Sequence, residues 1–154
     1  MPFEGEVVSI HVAPESGADL YPVPEASVTA RGIVGDRYAD GGGKFSAEGG
    51  PGRAVTLVEL EALDALAREE GVELDPGSLR RNVVTRDVPL NHLVGREFSV
   101  GDAVLRGVRL CEPCAYLAKM TDSSVSRALL HRAGLRADVV REGVIRPGDP
   151  VRPH

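Results

Sequence analysis

The chain predicts a mainly β fold, a mostly antiparallel, barrel-like sheet with two or three helices on its rim. Three observations point there. Short segments rich in β-branched residues outnumber helical ones; glycine, proline and aspartate turns separate them; and strands and helices do not alternate as the βαβ units of a doubly wound sheet would. With 154 residues and no internal repeat or natural linker, a single domain over 1–154 is expected.

Taken in order, residues 6–12 (Glu-Val-Val-Ser-Ile-His-Val) read as a strand ending at Ala13-Pro14, and a polar connection follows. Val28 to Ile33 reads as a second short strand. The run up to Arg53 carries glycine at 41, 42, 43, 49, 50 and 52, which predicts a surface loop and a candidate lid. Thr56 and Glu59 have the spacing of a capping box, and Leu57, Leu60, Leu63 and Ala67 recur at helical intervals until Gly71. A strand is expected over Arg81–Thr85, broken at Asp87-Val88-Pro89. Glu97–Val100 and Ala103–Leu110 form a predicted pair around the Gly101-Asp102 turn. Asp122 suits the cap of a second helix through Ser126, Leu129 and Leu130, stopped at Gly134. Val139-Val140 and Val144-Ile145 suggest a last hairpin, with another turn at Pro147-Gly148-Asp149.

An apolar share of 42% supports a real core, yet aromatics are only 4% and tryptophan is absent, so the core must be built from Val, Leu, Ala and Ile. That composition leaves no stock of exposed rings for base stacking, and a net charge of −5 lacks the basic field of a nucleic-acid binder. No apolar run approaches the roughly 18–20 residues that span a bilayer, and the first residues do not read as a secretory signal. A cytoplasmic protein without nucleic-acid or membrane partners is expected. All but two of the 18 basic side chains are arginine, Lys44 and Lys119 being the exceptions. Guanidinium is a planar fork suited to carboxylate and phosphate, so arginines beside a site carry weight even where base composition explains the general bias.

Both cysteines fall in Arg109-Leu-Cys-Glu-Pro-Cys114, where a strand-like run hands over to a predicted helix. Pro113 suits a first helical turn, where its missing N–H costs nothing. Cys114 then lies among unpaired backbone N–H groups, which favour the thiolate, and Arg109 adds to the effect. Such a thiol serves as nucleophile, metal ligand or sulfur carrier; two small buried side chains filling a gap is the plain alternative. Zinc would need a second close ligand pair beside His11, His92, His131 and His154, and the sequence holds none. A dithiol switch of thioredoxin type fits the spacing but not the β-rich context.

Further polar candidates surround this pair. Gly41-Gly-Gly43 before Lys44 resembles a phosphate loop, but Phe45 stands where Ser or Thr is needed, so only a looser anion cradle with Lys44 and Arg53 remains. Arg80-Arg81-Asn82 precedes a strand, where Asn is poor strand chemistry and Arg is seldom buried unpaired; a solvated strand start explains them equally. Asp36-Arg37 reads as a local ion pair that shapes a turn.

Six segments in chain order resemble a MOSC domain, the C-terminal module of molybdenum cofactor sulfurases: Gly32-Ile-Val-Gly-Asp-Arg-Tyr38, Arg53-Ala-Val-Thr-Leu-Val-Glu59, Arg80-Arg-Asn-Val-Val-Thr85, Leu90-Asn-His-Leu-Val-Gly95, Leu110-Cys-Glu-Pro-Cys114 and Gly143-Val-Ile-Arg-Pro-Gly-Asp149. They run over nearly the whole chain, and their joint spacing carries the resemblance. It implies a β-barrel-like fold, association with the molybdenum cofactor (molybdopterin), bound stably or transiently, and one important cysteine that carries sulfur or ligates molybdenum. By its Pro-Cys position that residue is Cys114, as catalytic residue and metal ligand. In relatives such as the mitochondrial amidoxime-reducing component an Arg-x-Asn motif lies beside the pterin, and Arg80 and Asn82 resemble it. Arg37, Lys44 and Cys111 complete the implied cofactor-binding set.

The resemblance implies a cysteine desulfurase or other sulfur donor as one partner and a molybdoenzyme or cofactor acceptor as the other. The chain reads as MOSC alone, without a pyridoxal-phosphate desulfurase domain or a ferredoxin module. Three functions follow as expectations: a sulfur carrier acting on Cys114, with Cys111 resolving the adduct; a molybdenum-dependent reductase of N-hydroxylated compounds; and a non-catalytic module that binds an anion or a partner.

Overall fold

The computed structural model describes residues 2–39, 51–111 and 129–154. Within them the strands are β1 (Gly5–Val12), β2 (Tyr21–Val23), β3 (Ala26–Thr29), β4 (Gly32–Ile33), β5 (Val55–Glu59), β6 (Val83–Arg86), β7 (Glu97–Val100), β8 (Ala103–Leu110), β9 (Leu135–Arg141), β10 (Gly143–Ile145) and β11 (Pro150–Pro153). Helix α1 (Leu60–Glu70) and two single 3-10 turns, Pro76–Leu79 and Leu90–Leu93, join them.

Seven strands close into a barrel in the order β1, β6, β5, β9, β8, β7, β11, and Gly5 opposite Val151 completes the ring. Closure removes the unpaired strand edges that an open sheet would present. β2 continues along the edge of β1 that β11 occupies lower down. β10, β3 and β4 form a separate small sheet. Every ladder is antiparallel except β5–β6, whose parallel pairing requires a crossover, and α1 supplies it. The mainly β, mostly antiparallel barrel expected from the sequence is therefore the fold, with one βαβ step built in.

Alternation across β5 and β6 creates two cores. Leu57 and Val83 point into the barrel with Val7, Ile10, Phe98, Leu105 and Leu135. Their neighbours Val58 and Val84 point outward and pack with Leu63 and Leu66 of α1, and with Leu79, Leu129 and Ala133. Helix α1 ends as expected at Gly71, whose left-handed φ of 68° lets its N–H reach the Ala67 carbonyl.

Several local expectations are corrected. Thr56 is not a helix cap: it and Leu57 lie in β5, and the helix begins after Glu59, which makes no side-chain cap bond. Barrel burial of Leu57 overrides its helical spacing. Residues 28–33 form two strands, β3 and β4, around Ala30-Arg31. β9 and β10 are not a hairpin, because β9 is occupied on both edges by β5 and β8 while β10 pairs with β3. The second predicted helix lies mainly outside the described residues; of its end, 129–132 is turn.

Candidate functional site

The polar residues flagged in the sequence gather where β1, β4 and β6 meet. Asp36 is completely buried in the loop after β4. Its Oδ1 accepts from the Ala13 backbone N–H at 3.0 Å and from Arg37 Nη1 at 3.0 Å, while Oδ2 accepts from the Tyr38 N–H at 3.2 Å. Arg37, 3% exposed, extends Nη2 to the carbonyl of Arg80 at 3.3 Å and lies 4.3 Å from the centroid of the Tyr38 ring. The expected local ion pair is thus a buried one that ties the end of β1 to the start of β6.

Arg80, Arg81 and Asn82 are all buried, so the solvated strand start is not what the chain builds. Arg80 caps the Pro76–Leu79 turn in the left-handed region, φ 61°, a strained place for a side chain, and donates from Nη1 to the Ala18 carbonyl at 2.7 Å. Arg81 donates from Nε to the Ala133 carbonyl at 2.8 Å. Asn82 is spent on the scaffold: Oδ1 accepts from the N–H and hydroxyl of Thr56, and Nδ2 donates to the His11 carbonyl at 3.1 Å. One amide thereby joins β5, β6 and β1, which explains a residue that strand propensity disfavours.

His11 sits against the same seam, its Nε2 2.8 Å from Ser9 Oγ. Burial holds its pKa below the ordinary histidine value. Beside it opens a cleft of about 370 Å³ bordered by Asp19, Asp75, Ser78 and Arg80.

A second polar group lies on the outer face of the barrel. Thr56, Arg136 and Arg109 are cross-strand neighbours on β5, β9 and β8. Burial, then the charges of Arg53 and Arg136, pull the Arg109 guanidinium below its usual value, while Cys111 and Asp138 act in the opposite direction. Arg136 reaches to 6.0 Å from the Tyr38 ring, linking this group to Arg37. The chain at 51–53 packs on top: Arg109 Nη1 donates to the Pro51 carbonyl at 2.9 Å, and the Gly52 N–H donates to Asp138 Oδ1 at 2.7 Å. A Cβ on Gly52 would stand 2.8 Å from Arg109 Nη1.

Cys111 follows β8 directly, is 3% exposed and carries a free thiol, with its N–H bonded to the Gly134 carbonyl at 2.8 Å. Cys114 and Lys44 lie outside the described residues. The structure therefore brings together Arg37, Arg80 and Asn82 at one seam and Cys111 beside Arg109. Sequence reasoning missed Arg136 and Asp138. The signal was present in Leu135-Arg-Ala-Asp-Val139, whose polar residues alternate with apolar ones as on a half-buried strand.

A MOSC domain family model matches residues 44–152, and the chain belongs to the MOSC domain family. Solved structures share the fold. YuaD from Bacillus subtilis superimposes with a TM-score of 0.83 at 18% identity, covering 100% of this chain and 98% of that one. YiiM from Geobacillus stearothermophilus gives 0.77 at 20% identity, over 97% of this chain and 75% of that one. YiiM from Escherichia coli gives 0.68 at 19% identity, over 100% and 70%. No curated protein matches the chain. Among the described residues no helix is long and apolar enough to cross a membrane.

Proposed function

We propose that this MOSC protein carries sulfur and binds the molybdenum cofactor, with Cys114 as the residue that receives sulfur. The observation that carries the reading is electrostatic. Arg53, Arg109 and Arg136 gather where β8 leads to Cys111 and, three residues further along the sequence, to Cys114. Positive charge favours thiolate over thiol, and the thiolate is the reactive form.

In the first step the Cys114 thiolate attacks the outer sulfur of a donor persulfide. The donor's S–S bond breaks, its thiolate leaves, and a persulfide forms on Cys114. Cys111 then attacks the inner sulfur of that persulfide, forming a Cys111–Cys114 disulfide and releasing hydrosulfide for an acceptor, so the cysteine pair supplies the two electrons. Burial shelters Cys111 from a macromolecular donor, which favours Cys114 as first acceptor.

The donor set fits an anionic cofactor. Guanidinium groups suit its phosphate, and a thiolate suits a soft metal. Arg80, on the border of the cleft, would hold it, while Asn82 and Arg37, whose guanidinium is spent on Asp36 and the Arg80 carbonyl, would act by fixing the strands that present it. A bound molybdenum cofactor would supply a redox-active metal open to sulfur. The donor is a cysteine desulfurase or another persulfide, the acceptor a molybdoenzyme or free cofactor, and the cytoplasm, where thiols stay reduced, is the setting.

Elemental analysis of protein made in a cofactor-supplying host tests the binding. Substoichiometric molybdenum that rises when cofactor is added agrees with a carrier. Tightly retained, stoichiometric metal would favour the reductase of N-hydroxylated compounds instead. No molybdenum under either condition would contradict cofactor binding.

A further inference from the structure

A groove of about 550 Å³ runs between helix α1 and the segment 73–78. Its floor is apolar. Leu60 and Leu63 lie about one turn apart on α1, Leu74 borders the groove from the segment that follows the helix, and all three pack on the outer core beneath. Leu60 and Leu74 are only partly buried, so the outer core is left incompletely covered along this line. An apolar strip rimmed by polar residues is the form that a protein-docking surface takes.

The rim is acidic. Asp64 on α1, and Glu73 and Asp75 across the groove, are exposed, and among the described residues none of these three carboxylates has an ion-pair or hydrogen-bond partner. Elsewhere on the surface the chain matches carboxylates to arginines: Glu4 with Arg152, Glu6 with Arg86, Glu25 with Arg146 and Glu69 with Arg132. Among the described residues no arginine, lysine or histidine borders the groove. Three like charges around an apolar floor repel one another, and cations brought in by a partner relieve that repulsion.

We infer that this groove docks a partner protein through a basic amphipathic segment, with apolar side chains of the partner on Leu60, Leu63 and Leu74 and its lysines or arginines against Asp64, Glu73 and Asp75. Burial of the leucines supplies affinity, while the acidic rim selects the sign of the partner and steers its approach. Leu74, Asp75 and Ser78 also border the cleft beside Arg80, so a partner seated in the groove lies next to that cleft. The surface uses neither cysteine, so it stands independently of sulfur transfer.

Fluorescence anisotropy of the whole chain with three labelled peptides tests the assignment: one of leucine and lysine at amphipathic helical spacing, one with every leucine replaced by serine, and one with every lysine replaced by glutamate. The leucine-lysine peptide should bind, more weakly as salt rises, and the other two should bind at least roughly tenfold less tightly. Asp64→Lys combined with Glu73→Lys should weaken its binding roughly tenfold or more. Glu4→Lys combined with Asp102→Lys, which alters net charge equally but outside the groove, should change it by less than about twofold. Melting curves check each variant, and Asp64→Asn, a single neutral change at an exposed position, should still cost about twofold to fivefold if the double reversal does not fold. Amide shifts of the bound chain should concentrate at 60–67 and 73–78. No binding of the leucine-lysine peptide, equal binding of the serine-lysine peptide, displacement by spermidine at matching affinity, or unchanged affinity in the Asp64 and Glu73 variants would overturn the inference.

Discussion

Asn82 and Thr56 are reciprocally bonded: Asn82 Oδ1 accepts from the Thr56 hydroxyl at 3.2 Å and from its N–H at 3.1 Å, while Thr56 Oγ1 accepts from the Asn82 N–H at 3.0 Å. This pair stands where the parallel β5–β6 ladder begins, and it positions Arg80 and Arg81 immediately upstream. Asn82→Ala should leave the buried Thr56 N–H and His11 carbonyl short of partners, costing about 2–4 kcal/mol in urea unfolding. A loss below about 0.5 kcal/mol would show that the seam is held by other contacts.

Asp36 and Arg37 are a buried pair, so breaking it should cost more than removing it. Asp36→Asn strands a buried guanidinium and should destabilise by about 3–5 kcal/mol. The double variant Asp36→Asn with Arg37→Met should recover much of that loss, measured as a thermodynamic cycle. Simple additivity of the two single variants would contradict the coupling.

His11 is kept neutral by burial, with its pKa below the ordinary 6.5. The unfolded chain then binds a proton at a pH where the folded chain does not, so this contribution to stability is present above about pH 6.5 and is lost as pH falls toward the lower folded value. The stability difference between wild type and His11→Asn should narrow on acidification from pH 7.5 to 5. A difference that stays constant over that range would show that His11 titrates alike in both states.

Gly52 is a spacer for the arginine group. Gly52→Ala places a Cβ 2.8 Å from Arg109 Nη1 in a left-handed backbone, which should cost about 1 kcal/mol. It should also displace the Arg109 guanidinium from the Pro51 carbonyl. An unaltered melting temperature would show that the 51–53 segment does not constrain the arginine group.

Reading β-branched runs bounded by Gly, Pro and Asp turns located most strands, β1, β7 and β8 among them. It failed where two signals overlap. Thr56 and Glu59 have capping spacing, but the Thr56 hydroxyl answers to Asn82, a partner distant in sequence that no local pattern reveals. Val139-Val140 and Val144-Ile145 suggested a hairpin because local reading ranks near neighbours first, whereas barrel closure assigns β9 to β5 and β8. In the candidate site, Arg80 and Asn82 were conspicuous as polar residues beside a strand. Arg136 was not, since its importance lies in standing across from Arg109, and register is a property of the folded sheet.

The central claim is that Cys114 carries sulfur, and peptide mass spectrometry measures it most directly. After incubation of the whole chain with a cysteine desulfurase and cysteine, then thiol blocking, the peptide containing Cys114 should carry one additional sulfur atom. Cys114→Ser should take up none, whereas Cys111→Ser should accumulate more because the adduct is no longer resolved. Equal sulfur uptake by Cys114→Ser and wild type, or no added sulfur on wild type, would contradict the account.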